Sequence, residues 1–249
     1  MQAKLQKRIQ RYGWDLAARD YESLWQKQLA AAQRTLLTSI CLEPDESVLD
    51  VACGTGLIAL DAARAVGSNG KVLGIDLSGQ MVDAARKRGE KLHLRQVSFA
   101  RMDAEALDIP DASFDVALCA LGLMYMPDPE KTVRELRRVL RPGGRVGLTV
   151  WGEQSRCGWS PLFAIVDAEV ASEVCPLFFR LGRQDMLAQL CADAEFVSIE
   201  HRRVAATLNY ANADEACNAA FVGGPAALAW SRFGIESRAR VRARYLQAI

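Results

Sequence analysis

Residues 48–56, VLDVACGTG, carry the clearest chemical signal in the chain. An apolar stretch runs into Asp50 and then into a turn that contains Gly54 and Gly56. An apolar strand, a glycine-rich turn and an apolar helix start are typical of a loop that holds a nucleotide-like cofactor at the carboxyl end of a parallel strand. Because glycine also serves tight turns that bind nothing, a turn without a ligand stays open at this point.

The acid at the head of this turn separates two kinds of cofactor. The charge of Asp50 would repel a pyrophosphate and attract a ligand that carries an ammonium beside a sulfonium. This favours S-adenosylmethionine over NAD. However, Gly54, Gly56 and Ala59 also fit the dinucleotide pattern G-x-G-x-x-G/A, so an NAD(P)-dependent oxidoreductase remains an alternative.

The elements that must position this turn alternate along the chain. Short apolar runs predict strands at 47–51, 71–76, 97–102, 114–120 and 145–150. Amphipathic stretches predict helices at 56–66, 79–88 and 130–140, with Ser78 as the cap of the second and 141–144 as the turn after the third. This alternation indicates a doubly wound, Rossmann-like α/β fold with helices on both faces of a mostly parallel sheet.

The two ends of the chain lack this regular alternation. Residues 14–40 have helical periodicity, and the C-terminal part predicts helices within 159–195, 213–220 and 235–246 and strands at 197–199 and 204–208. We therefore predict an N-terminal helical lid at 1–44 and a cofactor-binding core at 45–150. Residues 151–249 would complete a seven-stranded sheet and add a helical substrate cap within the same domain.

Two acids follow predicted strands and should meet Asp50 at one edge of the sheet, where such folds bind ligands. Asp76 could accept hydrogen bonds from both ribose hydroxyls; the alternative is an acid that only stabilises a helix N-terminus. Asp103, beside Ala104, could accept from an adenine amino group, or be a solvated loop acid. Met81 could flank the adenine, although core packing explains a lone methionine nearly as well.

Five segments in order carry a resemblance to a known family: VLDVACGTG at 48–56, GIDLS at 74–78, MDAEA at 102–106, FDVALCALG at 114–122 and LRPGG at 140–144. They resemble the motifs of class I S-adenosylmethionine-dependent methyltransferases, and are similar to the ubiquinone/menaquinone-biosynthesis type and related small-molecule enzymes. One departure is Ala52, where the family pattern has its first glycine.

The resemblance implies S-adenosylmethionine as cofactor and a role for each matching position. Loop residues would approach the methionine part, strand-end acids would hold ammonium, ribose and adenine, and the end of the fourth strand would lie beside the sulfonium. The implied cofactor residues are Asp50, Ala52, Cys53, Gly54, Gly56, Asp76, Leu77, Met81, Asp103, Ala104, Cys119 and Leu121.

The expected reaction is an in-line displacement that carries the methyl group to a small, largely apolar or aromatic acceptor. Such a step depends on alignment more than on acid–base groups. Tyr21, Tyr125 and His201 are the titratable candidates, and no catalytic residue is assigned. The Asn-Pro-Pro-Tyr motif of DNA and protein amide methylases is absent from the matching segment. A non-catalytic S-adenosylmethionine-binding protein remains a second alternative.

The amino-acid composition disfavours several classes of partner. Lysines and arginines (31) nearly balance acids (30), which disfavours a nucleic-acid partner. Seven scattered cysteines without a C-x-x-C pair, and only two histidines, disfavour disulfides and a metal site. No apolar run could span a membrane and no secretory leader is visible, so we expect a cytoplasmic protein that acts on a small molecule. Monomer and homodimer stay equally open.

Overall fold

The computed structural model describes residues 3–170 and 177–249. At its centre is a parallel sheet in the order β3-β2-β1-β4-β5. Its strands are β1 (Ser47–Val51), β2 (Lys71–Asp76), β3 (Val97–Arg101), β4 (Phe114–Ala120) and β5 (Leu140–Thr149). The central position of β1 places the glycine-rich turn at the middle of the carboxyl edge, where the order reverses.

Helices connect and cover these strands. Those of the N-terminal part and core are α1 (Ala3–Ile40), α2 (Leu57–Val66), α3 (Gly79–Lys91) and α4 (Pro129–Val139). Those of the C-terminal part are α5 (Pro161–Val170), α6 (Met186–Asp193), α7 (Ala213–Phe221), α8 (Ala227–Arg232) and α9 (Ile235–Ala248). The predicted helical character of residues 171–176 lies outside the described residues.

The sheet is buried on both faces, as the predicted doubly wound architecture requires. Successive side chains of a strand point to opposite faces. Val48 accordingly packs with α2 and α3 residues such as Ile58, whereas Leu49 packs with Leu136 of α4 on the other face. Neither Val48 nor Leu49 is exposed at all. The α/β fold is therefore confirmed.

The ends of these elements explain why the chain turns where it does. Ser78 Oγ accepts a hydrogen bond from the Met81 amide at 3.1 Å, which confirms the predicted cap of α3. The predicted turn at 141–144 lies inside β5 as an irregularity. There the pairing with β4 jumps from Leu140 opposite Phe114 to Arg145 opposite Val116.

The prediction of a seven-stranded sheet is wrong for the described residues, in which the sheet has five strands. Neither 197–199 nor 204–208 pairs with it. Ser198 has a positive φ of 53°, which interrupts an extended run. Val197 is 85% exposed, so the first segment lacks a buried face. Arg203 instead anchors this stretch by donating to the carbonyls of Gly182 and Gln184.

The N-terminal helix is longer than predicted, starting at Ala3 and not at residue 14. Its second half packs on the sheet, where Leu36 belongs to the same core cluster as Val48. Its first half extends beyond the carboxyl edge. In the described part of the chain, no helix has both the length and the apolar character that a membrane crossing needs.

Candidate functional site

An open cavity, called the main cavity below, lies at the carboxyl edge of the sheet, beneath the first half of α1. It contains about 1020 Å³ of empty space, its mouth included. Four of the five strands contribute to its floor at or just beyond their carboxyl ends, through Ala52 (β1), Asp76 (β2), Asp103 (β3) and Leu121 (β4). The topology thus brings together the strand-end positions that the sequence indicated.

The glycine-rich turn has a left-handed backbone. Ala52 has φ 54°, Gly54 φ 54° and Gly56 φ 82°. A side chain at φ > 0 costs about 1–2 kcal/mol, so Ala52 occupies a conformation that favours glycine. Its methyl group fits because Gly122 faces it: a Cβ at Gly122 would lie 2.4 Å from the Ala52 Cβ. Ala52 and Gly122 are therefore a matched pair.

Asp76 is fixed by the backbone on both sides. Its Oδ2 accepts from the Gly54 amide at 2.9 Å, and its Oδ1 accepts from the Ser78 amide at 2.9 Å. Burial raises the pKa of Asp76 to about 6, although these hydrogen bonds act to lower it. A carboxylate has about four acceptor sites, so two remain for the hydroxyls of a ligand.

Asp50 lies behind the turn and not on the wall of the main cavity. It is 1% exposed and borders a smaller polar space with Gln33 of α1 and Cys53. Its Oδ2 has no hydrogen-bond partner in the part of the chain that the structure describes. Burial raises the pKa of Asp50 to about 8; the Ala59 amide, at the start of α2, opposes that rise and the charge of Asp76 adds to it.

Asp103 is engaged by a residue that sequence reasoning missed. Lys7 Nζ of α1 lies 2.7 Å from Asp103 Oδ2 and 2.7 Å from Glu105 Oε2. All three residues line the cavity, as does Ala104. Lys7 sits in a polar N-terminal stretch without any motif, so only the path of α1 could reveal it. The acid proposed to contact adenine therefore also holds α1 in place.

The other predicted cofactor residues divide between the cavity and the core. Leu77, Met81 and Leu121 line the cavity. Gly56 instead lets α2 pack closely: a Cβ there would lie 3.1 Å from Phe99 Cζ. Cys119 is fully buried and does not line the cavity.

Much of the cavity wall is aromatic, and the rings of Trp25, Trp151 and Trp159, beside Leu121, form what we call its aromatic end. The lining rings are Trp14, Tyr21, Trp25, Tyr125, Trp151 and Trp159. Edge contacts join Trp14 to Tyr21 and Tyr125, at centroid distances of 5.8 and 5.1 Å. Five other aromatic residues of the C-terminal part pack in a core cluster there: Phe163, Phe178, Phe179, Phe221 and Trp230. Tyr12 is 46% exposed and does not line the cavity.

Of the three acid–base candidates, the two tyrosines line the cavity and the histidine does not. His201 is half exposed, lies 3.2 Å from Asp185 and does not line the cavity. Tyr21 lines it, but burial and the charges of Asp76 and Asp50 raise the pKa of its hydroxyl well above the ordinary value. Tyr21 is thus a neutral phenol at physiological pH. Tyr125 lines the cavity as well.

Comparison with known proteins places this site in a family. Residues 48–144, which carry the turn, Asp76 and Asp103, match a family described as "Methyltransferase domain". A demethylmenaquinone methyltransferase of Lactobacillus johnsonii is 34% identical over 123 residues, which cover 47% of this chain and 50% of that protein. Residues 48–144 belong to the class I S-adenosylmethionine-dependent methyltransferases.

Relatives of this methyltransferase core extend beyond it. A 37.1 kDa protein of unassigned role in a transposon of Streptomyces fradiae is 37% identical over 188 residues, covering 72% of this chain and 48% of that protein. The crystal structure of the [4+2]-cyclase SpnF is 28% identical with a TM-score of 0.54, covering 70% of this chain and 59% of that chain. The chain spans about half the length of the curated relatives it matches.

S-adenosylmethionine is the cofactor of this family, and the residues present fit it. The main cavity reaches Ala52 and Gly54, whereas the first turn of α2, where a dinucleotide pyrophosphate would lie, borders the smaller space beside the buried acid Asp50. The backbone amide of Ala59, in that first turn, donates a hydrogen bond to the carboxyl group of Asp50. The carboxylate of Asp76 and the unpartnered Oδ2 of Asp50 suit a cofactor with hydroxyl and ammonium donors better than one with phosphates.

Proposed function

We propose that this protein transfers a methyl group from S-adenosylmethionine to a small, neutral and largely aromatic acceptor. The observation that carries the proposal is the continuity of one cavity from Gly54 and Asp76 to the tryptophan-rich wall. The lining of this cavity runs without interruption from the glycine-rich turn to Trp159, so a cofactor and an acceptor could lie side by side in it.

The cofactor end would be held mainly by fixed groups. Asp76 would accept from the ribose hydroxyls, Ala104 and Asp103 would contact the adenine edge, and Met81 would pack on its ring. Backbone atoms at Ala52 and Gly54 would approach the methionine part. When bound, S-adenosylmethionine supplies a methyl group on a positively charged sulfur, and the bonding electron pair returns to sulfur when the acceptor takes the methyl carbon.

The protein's own contribution would be alignment and exclusion of water. Orientation of two bound reactants can supply on the order of 7–11 kcal/mol. The first half of α1 would act as the lid: it is held by Lys7 on Asp103 and by Asp15, which accepts from Ser78 Oγ at 2.6 Å. No histidine lines the cavity, so we expect the acceptor's proton to leave to water.

Two other functions are disfavoured by particular observations. A dinucleotide oxidoreductase would place a pyrophosphate at the start of α2, in the smaller space that the acid Asp50 borders. A different reaction on the same fold has a precedent in the SpnF cyclase, so cofactor binding alone does not establish methyl transfer. The aromatic cavity beyond Leu121 favours an enzyme over a passive cofactor-binding protein.

Calorimetry with S-adenosylhomocysteine, S-adenosylmethionine and NADH tests the cofactor, with Asp76→Asn as the variant. We expect binding of the two sulfur nucleosides only, and a loss of about 10- to 100-fold in Asp76→Asn, because two charge-assisted hydrogen bonds weaken. Asp83→Asn, on the exposed side of α3, is the matched control. Tight NADH binding without S-adenosylhomocysteine binding would overturn the proposal.

Methyl transfer itself needs a second measurement. Protein that binds S-adenosylhomocysteine should transfer labelled methyl to at least one compound in a broad panel of neutral aromatic acceptors. Transfer to none of them, by protein with intact cofactor affinity, would instead support a non-catalytic or non-methylating role.

A further inference from the structure

Trp159 lies at the centre of the aromatic end of the cavity. Its ring meets Trp25 at a centroid distance of 5.9 Å and Trp151 at 5.2 Å, both edge to face. All three rings line the cavity. They come from distant parts of the chain, so they form one wall only in the folded protein.

The two buried indoles of this wall differ in their hydrogen bonds. Trp25 Nε1 donates to the Ala219 carbonyl at 3.1 Å. Trp159 Nε1 is equally shielded, since the residue is 6% exposed, yet it has no partner among the described residues. A buried indole N–H usually finds an acceptor, because leaving the bond unmade is destabilising. The described part of the fold therefore retains a donor that it does not use.

The charges around the cavity define the kind of acceptor atom that this donor fits. The charged lining residues are Lys7, Asp76, Asp103 and Glu105, all at the cofactor end. Lys7 is paired with two of those acids. Among residues 3–170 and 177–249, no charged residue lines the aromatic end, so the described part of this wall offers no ion-pair partner to a charged acceptor.

We propose that Trp159 determines acceptor specificity by donating its Nε1 hydrogen to a hydroxyl or carbonyl oxygen on a neutral aromatic acceptor. This inference rests on the proposed function, because the acceptor occupies the space beside the bound cofactor. The rings of Trp25 and Trp151 would hold the flat face of the acceptor, and the indole N–H would fix its orientation.

Two probes of the same shape test the hydrogen bond: 2-naphthol, which carries an oxygen, and naphthalene, which does not. Their affinities are measured by equilibrium dialysis against protein saturated with S-adenosylhomocysteine. We expect 2-naphthol to bind roughly three- to tenfold tighter than naphthalene, as one neutral hydrogen bond provides. Equal affinities, failure of both probes to bind, or tighter binding of the cation trimethylanilinium would overturn the proposal.

Trp159→Phe keeps a ring and removes the donor. We expect this variant to bind both probes equally and to retain the S-adenosylhomocysteine affinity of the unchanged protein, which also verifies folding. Trp151→Phe is the control and should weaken both probes alike. A 2-naphthol preference that survives in Trp159→Phe would contradict the assignment. If the unchanged protein does not bind S-adenosylhomocysteine at all, that result would instead contradict the proposed function.

Discussion

The two ends of the cavity are built in different ways. The cofactor end is formed by backbone conformation and strand-end acids within residues 48–104, and its main polar group, Asp76, is fixed by two amides. The aromatic end is formed by side chains of α1, of the segment after β5 and of the turn that follows β4. The first end depends on local geometry, and the second depends on how distant segments pack.

This difference predicts how each end should respond to substitution. The cofactor end tolerates almost no added volume, because the peptide groups and short side chains that form it cannot move aside. A wall of large rings can repack around a changed side chain. We therefore expect added volume at the cofactor end to reduce stability and cofactor affinity together, and changes at the aromatic end to alter the acceptor alone.

Gly122→Ala should have the largest effect. The new methyl group would lie 2.4 Å from the Ala52 Cβ, so the turn must shift. Overpacking of this kind costs about 1–3 kcal/mol of the free energy of unfolding, measured by urea denaturation. S-adenosylhomocysteine affinity should fall with it.

The double variant Ala52→Gly/Gly122→Ala is the matched test of that contact. Removing the Ala52 methyl group restores the space and also relaxes the left-handed backbone at residue 52. We expect it to recover most of the stability and affinity lost in Gly122→Ala. If the effects of the two substitutions on the free energy of unfolding are simply additive, the contact between residues 52 and 122 does not determine the shape of the glycine-rich turn.

Asp50→Asn should have an intermediate effect that depends on pH. The pKa of Asp50 in the folded protein, about 8, lies above its unfolded value of 3.8, so the folded state keeps a proton that the unfolded state releases. Stability without cofactor therefore falls as pH rises from about 4 to 8, and the asparagine variant should lack that contribution. Urea unfolding at pH 5 and pH 8 measures both slopes.

Near pH 8 we expect Asp50→Asn to be more stable than the unchanged protein, by on the order of 2 kcal/mol, yet to bind S-adenosylhomocysteine more weakly. Some slope should remain, because the pKa of Asp76 is also raised, to about 6. A variant with unchanged cofactor affinity would remove Asp50 from the reasons for preferring S-adenosylmethionine over NAD.

The sequence predicted the cofactor end well because its signals are local. The strand that ends at Asp50, the glycines of the turn and the Ser78 cap each lie within a few residues of the feature they specify. The position of Asp76 at the carboxyl edge follows from the alternation of strands and helices. The placement of Asp50 behind the turn, and of Gly56 and Cys119 away from the wall of the main cavity, required the structure.

The aromatic end could not be predicted in the same way. Trp151, Trp159 and Phe163 are similar in sequence terms, but the first two line the cavity and the third packs in the core. Lys7 belongs to no motif. The two predicted strands after residue 195 failed because short apolar runs resemble strands whether or not a neighbour pairs with them, and here the positive φ of Ser198 breaks the extension.

Lys7→Met should have the smallest effect, and it tests whether α1 joins the two ends of the cavity. The side chain of Lys7 is 24% exposed, so loss of its ion pairs should cost only about 0.5–1 kcal/mol of the free energy of unfolding. Asp103 and Glu105 lose their common partner, and the first half of α1 should open more often. We expect faster hydrogen exchange in residues 3–18. Release of S-adenosylhomocysteine should be two- to fivefold faster, which corresponds to the free energy of such an ion pair.

Lys4→Met, on the exposed side of the same helix, is the control. If both variants release the ligand equally fast, the Lys7 ion pairs do not hold the lid, and closure depends on the contact of Trp14 with Tyr125.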